Sequence, residues 1–218
     1  MADDLEQHHH QHEHGDESEH AHDHGHDHDH DHDHDHDHDH VHMSPEEYAV
    51  ALRAAKDEYM RDDPTSPLGE EQRATFSGLA YYPYDPALAF ELPLDRNVSA
   101  EAVQMGTSTG DSRQYPSAGK IRFEVDGNPA ELTIYGELGN LFLPIRDATS
   151  GKATYGAGRY LEPDLVGEDT VFVDFNLLYN PYCAYNEQFS CPLPPVENWL
   201  KVPIEAGEQN YGSPGSEA

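Results

Sequence analysis

The stretch Asp174–Pro195 reads DFNLLYNPYCAYNEQFSCPLPP, and it contains both cysteines of the protein, three asparagines, three tyrosines and four prolines. Proline fixes the backbone φ angle, and asparagine side chains stabilise tight turns. The many hydrogen-bonding groups of such a segment need partners once the segment is ordered. We therefore expect an ordered and largely buried corner here, and we place the candidate site in it.

Histidine is distributed very unevenly along the chain. Of the 218 residues, the first 42 contain all 17 histidines, and the remaining 176 are enough for one domain with a core of its own. Because those 176 residues lack histidine, histidine triads, histidine-ligated metals and histidine general bases are excluded from their chemistry. Haem and flavin sites are not supported either, because axial histidines and a glycine-rich phosphate loop are missing.

The chain is strongly acidic, with 43 Asp and Glu against 12 Lys and Arg and a formal net charge of −31. After residue 42 there are 28 acidic residues and all 12 basic ones, a net charge of −16. Such a surface repels nucleic acid, which we exclude as a partner. Scarce lysine with abundant acid is typical of proteins that stay hydrated at high salt, where the screening length is about 3 Å at 1 M. We therefore expect a halophilic protein.

The sequence predicts a cytoplasmic protein with no membrane partner. Its start, MADDLEQ, is acidic and lacks the apolar run of a secretory signal. Nowhere does an apolar run approach the roughly 20 residues that a membrane span requires.

Residues 1–42 alternate histidine with aspartate and contain almost nothing apolar, so we expect a disordered tail. Neighbouring carboxylates can hydrogen-bond the second ring nitrogen of each imidazole, which favours binding of a divalent transition metal, zinc or nickel above all. The irregular lead-in HHHQHEHGDESEHAHDHGHD disfavours a purification tag, whereas a merely solvating acidic tail remains the alternative. The predicted ligands are His22, His24, His26, His28, His30, His32, His34, His36, His38 and His40.

A helix is predicted to begin at Ser44, because serine followed by Pro45 and by Glu47 three residues later is a capping-box pattern. We expect this helix to end near Arg61. Its predicted packing face consists of the residues at helical spacing, Tyr48, Leu52, Ala55 and Tyr59.

Beyond residue 74, short alternating apolar runs separated by proline and glycine predict an antiparallel β-barrel or sandwich, with the helix covering one opening or edge. The DGNP sequence after Val125 predicts a tight hairpin. We expect four segments: a disordered tail at 1–42, a helix and connector at 43–73, a β-rich domain at 74–212 and a disordered end at 213–218. The predicted strands are Leu79–Tyr82, Ala87–Leu94, Ala100–Met105, Lys120–Val125, Ala130–Tyr135, Leu141–Arg146, Gly158–Leu161, Val171–Phe175 and Leu200–Ile204.

Polar residues concentrate at two places that could form one site. Arg146 and Arg159 flank a glycine-containing loop and could hold a carboxylate or phosphate by bidentate hydrogen bonds. Alternatively they pair with Asp147 and Asp174 in a buried structural network, the interpretation we prefer. Asp174 shares one strand face with the residue two positions later, and Asn180 precedes a proline as a turn cap does. The candidate ligand-binding residues are Arg146, Asp147, Thr154, Tyr155, Arg159, Asp174, Asn176, Asn180 and Asn186.

Cys183 and Cys191 allow four interpretations. A disulfide is disfavoured in a reducing cytoplasm, and a zinc site would need two further ligands that only Asp or Glu can supply. A nucleophilic Cys183 would need an activating cation, for which Arg159 is the candidate. Small buried thiols in an aromatic corner with Tyr182, Tyr185 and Phe189 are the interpretation we prefer.

Two long motifs resemble a family of bacterial and archaeal proteins, the domain of unknown function 1684. They are RDATSGKATYGAGRYLEPD at 146–164 and DFNLLYNPYCAYNEQFSCPLPPVENWLKVPIEAGE at 174–208, and SGLAYYPYDP at 77–86 is similar too. The resemblance spans roughly 75–212 and indicates a member of haloarchaeal type with an added tail. It implies no activity. The chain departs from many relatives in lacking their tryptophan-rich lead-in, so a site built partly from that segment would be incomplete here.

Two functions are compatible with these observations. The first is a ligand-binding or housekeeping module with a metal-binding tail, which would take metal ions and a small anionic ligand. The second is a hydrolase or transferase acting on a small anionic or carbonyl substrate. In the enzyme, Asp174 would be the acid or base, Arg146 and Arg159 the anion clamp, and Cys183 the nucleophile.

Overall fold

A computed structural model of the chain describes residues 43–99 and 102–212. The helices are α1 (Pro45–Asp62) and α2 (Glu70–Ala74). The strands are β1 (Ala89–Pro93), β2 (Val103–Gly106), β3 (Ser112–Tyr115), β4 (Ser117–Val125), β5 (Asn128–Glu137), β6 (Asn140–Ile145), β7 (Arg159–Leu161), β8 (Asp164–Gly167) and β9 (Thr170–Asp174).

The strands form three antiparallel sheets, with the orders β1-β9-β8, β2-β3 and β4-β5-β6-β7. This confirms the mainly-β class predicted from the sequence. Across residues 43–99 and 102–212 the sheets stay separate and do not close into a barrel, so the sandwich version of the prediction fits.

The larger of two hydrophobic clusters in the described residues combines side chains of the three-stranded and four-stranded sheets. It includes Leu92 of β1, Ile121 of β4, Leu143 of β6 and Val173 of β9, all buried. Three phenylalanine rings link the two sheets, with centroid distances of 5.4 Å for Phe90 and Phe123, 5.9 Å for Phe90 and Phe175, and 5.2 Å for Phe123 and Phe175. Burial of such side chains is the main favourable contribution to folding.

Helix α1 begins as predicted but packs through a different face. The Ser44 N–H donates to Glu47 Oε2 over 2.7 Å and the Glu47 N–H donates to Ser44 Oγ over 3.2 Å, so both halves of the capping box are present. The predicted packing face was wrong for Tyr48 and Leu52, which are 49% and 41% exposed, and for the exposed Ala55, whereas Tyr59 does pack, against Met60, Leu68 and Tyr185. The inward face consists instead of Ala49, Arg53, Lys56 and Met60, because long basic side chains cover apolar surface with their methylene stems.

The hairpin between β4 and β5 has the geometry that its sequence predicts. Asp126 and Gly127 both have positive φ angles, 50° and 76°, and Val125 pairs with Asn128. Two consecutive positive φ angles are the mark of a type I′ turn, whose twist matches that of the flanking strands.

Three differences concern strands. The structure adds β3 and β8, whose side chains are mostly exposed, so they lack the apolar alternation that marks a half-buried strand. The predicted strand Leu200–Ile204 was wrong: this segment follows a single parallel bridge from Trp199 to Arg146, and Pro203 has no N–H for a ladder. The predicted strand Leu79–Tyr82 is reduced to one bridge at Tyr81.

Some predictions fall on other parts of the chain. The predicted disorder of residues 1–42 and 213–218 and the start of the strand Ala100–Met105 lie outside the described residues. Among the described residues, no helix has the length and apolar character needed to cross a membrane.

Asn198 joins two strands at the point where their own pairing stops. Direct pairing of β5 with β6 runs only from Tyr135 to Glu137. Beyond it, Asn198 Oδ1 accepts from the Thr133 N–H over 2.8 Å, and Asn198 Nδ2 donates to the carbonyls of Thr133 and Pro144 over 2.8 and 2.9 Å. The side chain is fully buried and replaces the missing ladder bonds.

We predict that Asn198→Ala lowers the free energy of unfolding by about 3 kcal/mol or more, because three buried backbone groups each lose a partner worth about 1–3 kcal/mol. Asn198→Asp should not restore stability, since a carboxylate cannot donate to the two carbonyls. The exposed Asn97→Ala is the matched control, expected within about 0.5 kcal/mol of wild type. Urea unfolding measures all three variants, and a loss below about 1 kcal/mol for Asn198→Ala would contradict the role.

Candidate functional site

Arg159, at the start of β7, is fully buried and surrounded by acceptors. Its Nη2 donates to Asp147 Oδ2 over 3.0 Å and to the Ile204 carbonyl over 2.8 Å. Its Nη1 donates to the Glu208 carbonyl over 3.1 Å and also to the Ala206 carbonyl. Burial lowers the pKa of Arg159, and the Asp147 carboxylate opposes that change. The arginine is therefore a structural cation inside the core, not an open anion clamp.

Asp147 and Thr154 belong to the same buried corner. Asp147 Oδ1 accepts hydrogen bonds from Thr149 N–H over 2.8 Å, Thr149 Oγ1 over 2.6 Å and Ile204 N–H over 3.2 Å. The Thr149 hydroxyl lies 2.7 Å from that of Thr154, which is fully buried. Their hydrogen bonds hold the loop after β6 against the chain near Ile204.

The two arginines do not share an acidic partner. Arg146 lies with its guanidinium 4.7 Å from the centroid of the Trp199 ring. Asp174 accepts instead from the Asn176 N–H over 2.9 Å, from Asn176 Nδ2 over 2.8 Å and from the Tyr84 hydroxyl over 3.2 Å. The expectation that Arg146 or Arg159 would pair with Asp174 was wrong, because the cation that α1 brings to this side is Arg53, whose Nη2 donates to the Asn176 carbonyl over 3.1 Å.

Glu208 is a second buried charge, and its role was not predicted from the sequence. Its carboxylate accepts from Lys56 Nζ over 2.7 Å, from the Asn180 N–H over 3.1 Å, from Asn180 Nδ2 over 2.9 Å and from the Tyr185 hydroxyl. Burial and this carboxylate raise the pKa of Tyr185. The only available signal was its place at the end of the A-G-E motif at 206–208.

The remaining candidates also have local partners. Tyr155 donates through its hydroxyl to the Cys183 carbonyl over 3.3 Å, and Asn186 Nδ2 donates to the Pro67 carbonyl over 3.3 Å. The residues predicted as one polar site therefore lie in four separate places. These are the Arg159–Asp147 pair (the Arg159 corner), the surroundings of Glu208 (the Glu208 cluster), the turn after Asp174, and the surroundings of Cys183 and Cys191 (the cysteine corner). The four residues named for an enzyme, Arg146, Arg159, Asp174 and Cys183, are not gathered around one cavity.

A cavity of about 320 Å³ lies between α1 and the segment Asn176–Tyr182. Its lining is predominantly apolar and includes Leu52 and Leu177, and two basic side chains, Arg53 and Lys56, contribute to it. Of the predicted ligand-binding residues, only Asn176 lines this cavity. The lining is completed by Ala49, Tyr59, Tyr81, Leu178, Tyr179 and Tyr182.

The cations of this cavity are held in place by aromatic rings and acceptors. Arg53 lies 4.7 Å from the Tyr81 ring centroid and donates to the Tyr82 carbonyl over 3.1 Å. Lys56 Nζ lies 5.0 Å from the centroid of Tyr179 while it pairs with Glu208. Neither side chain was predicted from the sequence to belong to a site. Both lie on α1, and the packing face predicted for α1 is shifted by one residue from the face that packs inward.

A second cavity, of about 370 Å³, has the opposite character. Its lining includes four acidic side chains, Asp85, Glu124, Asp126 and Glu205. An anionic ligand would be repelled from it, so the cavity beneath α1 is the candidate binding site for such a ligand.

Both cysteines are buried free thiols in the described part of the chain. The Cys183 N–H donates to Cys191 Sγ over 3.3 Å, and the Tyr155 hydroxyl donates to Cys183 Sγ over 3.7 Å. Tyr182 and Phe189 pack edge to face in the same corner, with centroids 5.2 Å apart. The neighbouring Cys191 thiol, and then the Tyr155 and Ser108 hydroxyls, lower the pKa of Cys183 to about 6 against the effect of burial.

The predicted metal ligands, His22 to His40, lie outside the described residues. Within ranges 43–99 and 102–212 there is no cluster of three or more side chains that could hold a metal ion.

We predict that Arg159→Met lowers the free energy of unfolding by about 3–5 kcal/mol, because Asp147 is left as an uncompensated buried charge. Arg159→Lys should recover only part of this loss, since an ammonium group cannot reproduce the planar fork of donors. Arg96→Met, which removes the exposed ion pair with Asp169, is the control and should cost no more than about 1 kcal/mol. Normal stability of Arg159→Met in urea would show that the core does not need the guanidinium.

The sequence pattern of the family described as Protein of unknown function (DUF1684) matches residues 74–209. The chain is also similar to an uncharacterised protein of Haloarcula marismortui whose structure was determined in solution by NMR. The two are 38% identical, the match covers 74% of this chain and 92% of the other, and the TM-score is 0.58. A search of curated proteins found no match. The family pattern spans more than half of the sequence and includes the Arg159 corner, the cysteine corner and Glu208, so this protein belongs to the DUF1684 family.

Proposed function

We propose that this protein is a small-ligand-binding module whose site is the cavity beneath α1, joined to a tail that binds divalent transition-metal ions. The observation that carries the first part is the cavity itself, with an apolar lining and two basic side chains in a chain of net charge −31. Its volume of about 320 Å³ lies at the lower end of the range for small-molecule sites.

The lining supports a ligand that is mainly apolar. Leu52, Leu177 and the aromatic rings of Tyr59 and Tyr182 provide surface for an aliphatic or aromatic body. Release of water from such surface is favourable by about 25 cal/mol per Å². Tyr59 and Tyr182 also hold each other through their hydroxyl groups, 2.9 Å apart, which keeps this side of the cavity in place without a ligand.

Arg53 and Lys56 support an anionic end group on the ligand. Arg53 uses one donor on each terminal nitrogen for the carbonyls of Tyr82 and Asn176, and a guanidinium has five donors. Lys56 uses one for Glu208, its side chain is 22% exposed, and an ammonium has three donors. A monocarboxylate with an apolar body fits this combination better than a polyanion, because Glu208 and Asp174 offset part of the positive charge.

An enzyme is supported less well than a binding module. The hydrolase or transferase hypothesis needs Arg146, Arg159, Asp174 and Cys183 around one substrate, and these residues occupy separate corners. A binding module needs no general base, which agrees with a described domain that has no histidine.

We predict that a medium-chain fatty carboxylate such as decanoate binds to the full-length protein, whereas decylamine and decanol bind more weakly. Titration calorimetry measures the three affinities. Leu52→Glu should weaken decanoate binding at least tenfold, because it adds a negative charge and removes apolar surface at the cavity.

Val50→Glu is the matched control for this substitution. Val50 is exposed on the same helix but does not line the cavity, so the added charge should leave decanoate binding within about threefold of wild type. Equal binding of decanoate by wild type and Leu52→Glu would place the site elsewhere, and no binding of any of the three compounds would remove support for the proposed ligand class.

The tail is proposed to bind zinc or nickel through the alternating histidines between His22 and His40. Neutral imidazole is the binding form, so protonation at low pH competes with the metal. The composition of the tail supports this proposal, since carboxylates next to imidazoles provide second ligands and hydrogen-bond partners.

We predict that full-length protein binds several zinc ions at pH 7.5 and loses most of this binding at about pH 5, below the ordinary histidine pKa of about 6.5. A full-length variant with the ten alternating histidines replaced by asparagine keeps the length of the tail and should bind fewer zinc ions. Calorimetric titration gives the stoichiometry. Equal stoichiometry for the two chains would refute the role of these histidines.

The acidic composition supports a cytoplasm of high salt as the place of action. Lys and Arg together number 12 against 43 acidic residues, and screening by salt weakens the repulsion among the acidic side chains.

We therefore predict that the thermal unfolding midpoint of the protein rises between dilute and multimolar KCl. A midpoint that falls would contradict halophily.

A further inference from the structure

The cysteine corner contains two thiols that neither the ligand cavity nor the buried ion pairs use. Cys183 lies in a short 3-10 turn, Tyr182–Ala184, and Cys191 precedes the proline-rich segment Pro192–Pro195. The two residues are eight positions apart in the chain, and the Cys183 N–H contacts Cys191 Sγ at 3.3 Å. They are 5% and 7% exposed, so a small molecule can approach them more easily than a second protein chain.

The surroundings of the two sulfur atoms differ. Cys183 Sγ receives a hydrogen bond from the Tyr155 hydroxyl over 3.7 Å, whereas Cys191 Sγ receives one from the Cys183 backbone N–H over 3.3 Å. The Cys191 backbone N–H is used elsewhere, since it donates to Ser108 Oγ over 3.0 Å. Each sulfur therefore has its own donor, a phenol hydroxyl for Cys183 and a backbone N–H for Cys191, and the second contact holds the Cys191 sulfur against the backbone of Cys183.

The pKa values of the two thiols differ in opposite directions, so near neutral pH Cys183 favours the thiolate and Cys191 the protonated thiol. The neighbouring Cys191 thiol, followed by the Tyr155 and Ser108 hydroxyls, lowers the pKa of Cys183 to about 6. The contact with Cys183 and burial raise the pKa of Cys191. A thiolate next to a protonated thiol is the pairing in which the first attacks an oxidant and the second resolves the product.

We propose that Cys183 and Cys191 form a redox-active dithiol that a hydroperoxide oxidises to an intrachain disulfide. The Cys183 thiolate attacks the terminal oxygen of the peroxide, the O–O bond breaks, and Cys183 sulfenic acid forms while the leaving alkoxide or hydroxide takes up a proton. The Cys191 sulfur then attacks the sulfenic sulfur, releasing water as the S–S bond forms. With hydrogen peroxide, two thiols and one peroxide give one disulfide and two waters.

The proposal requires no histidine. A thiolate that is already present near neutral pH needs no general base, and the resolving thiol lies beside the site of oxidation. A thiol reductant reverses the reaction by exchange at one of the two sulfurs, so the pair can cycle inside a reducing cytoplasm.

The test uses reduced full-length protein and hydrogen peroxide as the probe. Because the chain has only two cysteines, loss of both thiols without a covalent dimer assigns the bond. We expect the intact mass to fall by two hydrogen atoms, the chain to remain monomeric on a non-reducing gel, and dithiothreitol to restore both thiols. The oxidation rate should rise with pH through about 6 and then level off, since the thiolate is the reactive form and the pKa of Cys183 is about 6.

Two serine variants separate the roles of the sulfurs. Cys191→Ser should stop at the sulfenic acid of Cys183, which dimedone traps, and Cys183→Ser should react at least tenfold more slowly. Circular dichroism checks the fold of each variant, and the wild-type pH profile decides the matter if a variant unfolds. The proposal is overturned if the rate of the wild type instead follows an ordinary thiol pKa of about 8.5, if disulfides form only between chains, or if Cys183→Ser reacts as fast as Cys191→Ser.

Discussion

The buried guanidinium of Arg159 is the interaction on which the arrangement of this protein depends. A charge removed from water is costly unless hydrogen bonds and a counter-ion replace its hydration. Here Asp147 provides the counter-ion, and the carbonyls of Ile204, Ala206 and Glu208 provide the other acceptors. One side chain therefore joins β7, the loop after β6 and the C-terminal segment, three parts of the chain that share no regular strand pairing.

Glu208 extends this arrangement to the helix. Its backbone carbonyl accepts from Arg159, and its side chain accepts from Lys56 on α1. The same helix brings Arg53 over Tyr81, so the basic residues that fix α1 also form part of the cavity beneath it. The chain has only 12 basic residues, and Arg53, Lys56 and Arg159 are among those that are not exposed. Structural support and the candidate binding site thus use the same side chains.

Features that depend on neighbours in the sequence were predictable. The capping box at Ser44 and the type I′ turn at Asp126 are set by a few adjacent residues, and both were expected. The Arg159–Asp147 pair was among the alternatives, but no rule could choose it over a pair with Asp174, because that choice depends on where distant segments meet. The inward face of α1 was missed since it uses Arg53 and Lys56, which hydrophobic periodicity counts as polar. Glu208 and Asn198 were missed as well, because buried polar residues have no distinctive pattern in a single sequence.

The position of Glu208 after every described strand in chain order has a consequence for biosynthesis. A ribosome makes the amino-terminal helix and every strand before it makes residues 204–208, and those residues must clear the exit tunnel before they can bind anything. Until then, Arg159 and Lys56 lack their partners in that segment, so their buried interactions stay incomplete. Translation that terminates after residue 174 but before residue 204 would therefore release a polypeptide that contains every described strand but lacks the partners of Arg159 and Lys56, a natural substrate for quality-control proteases.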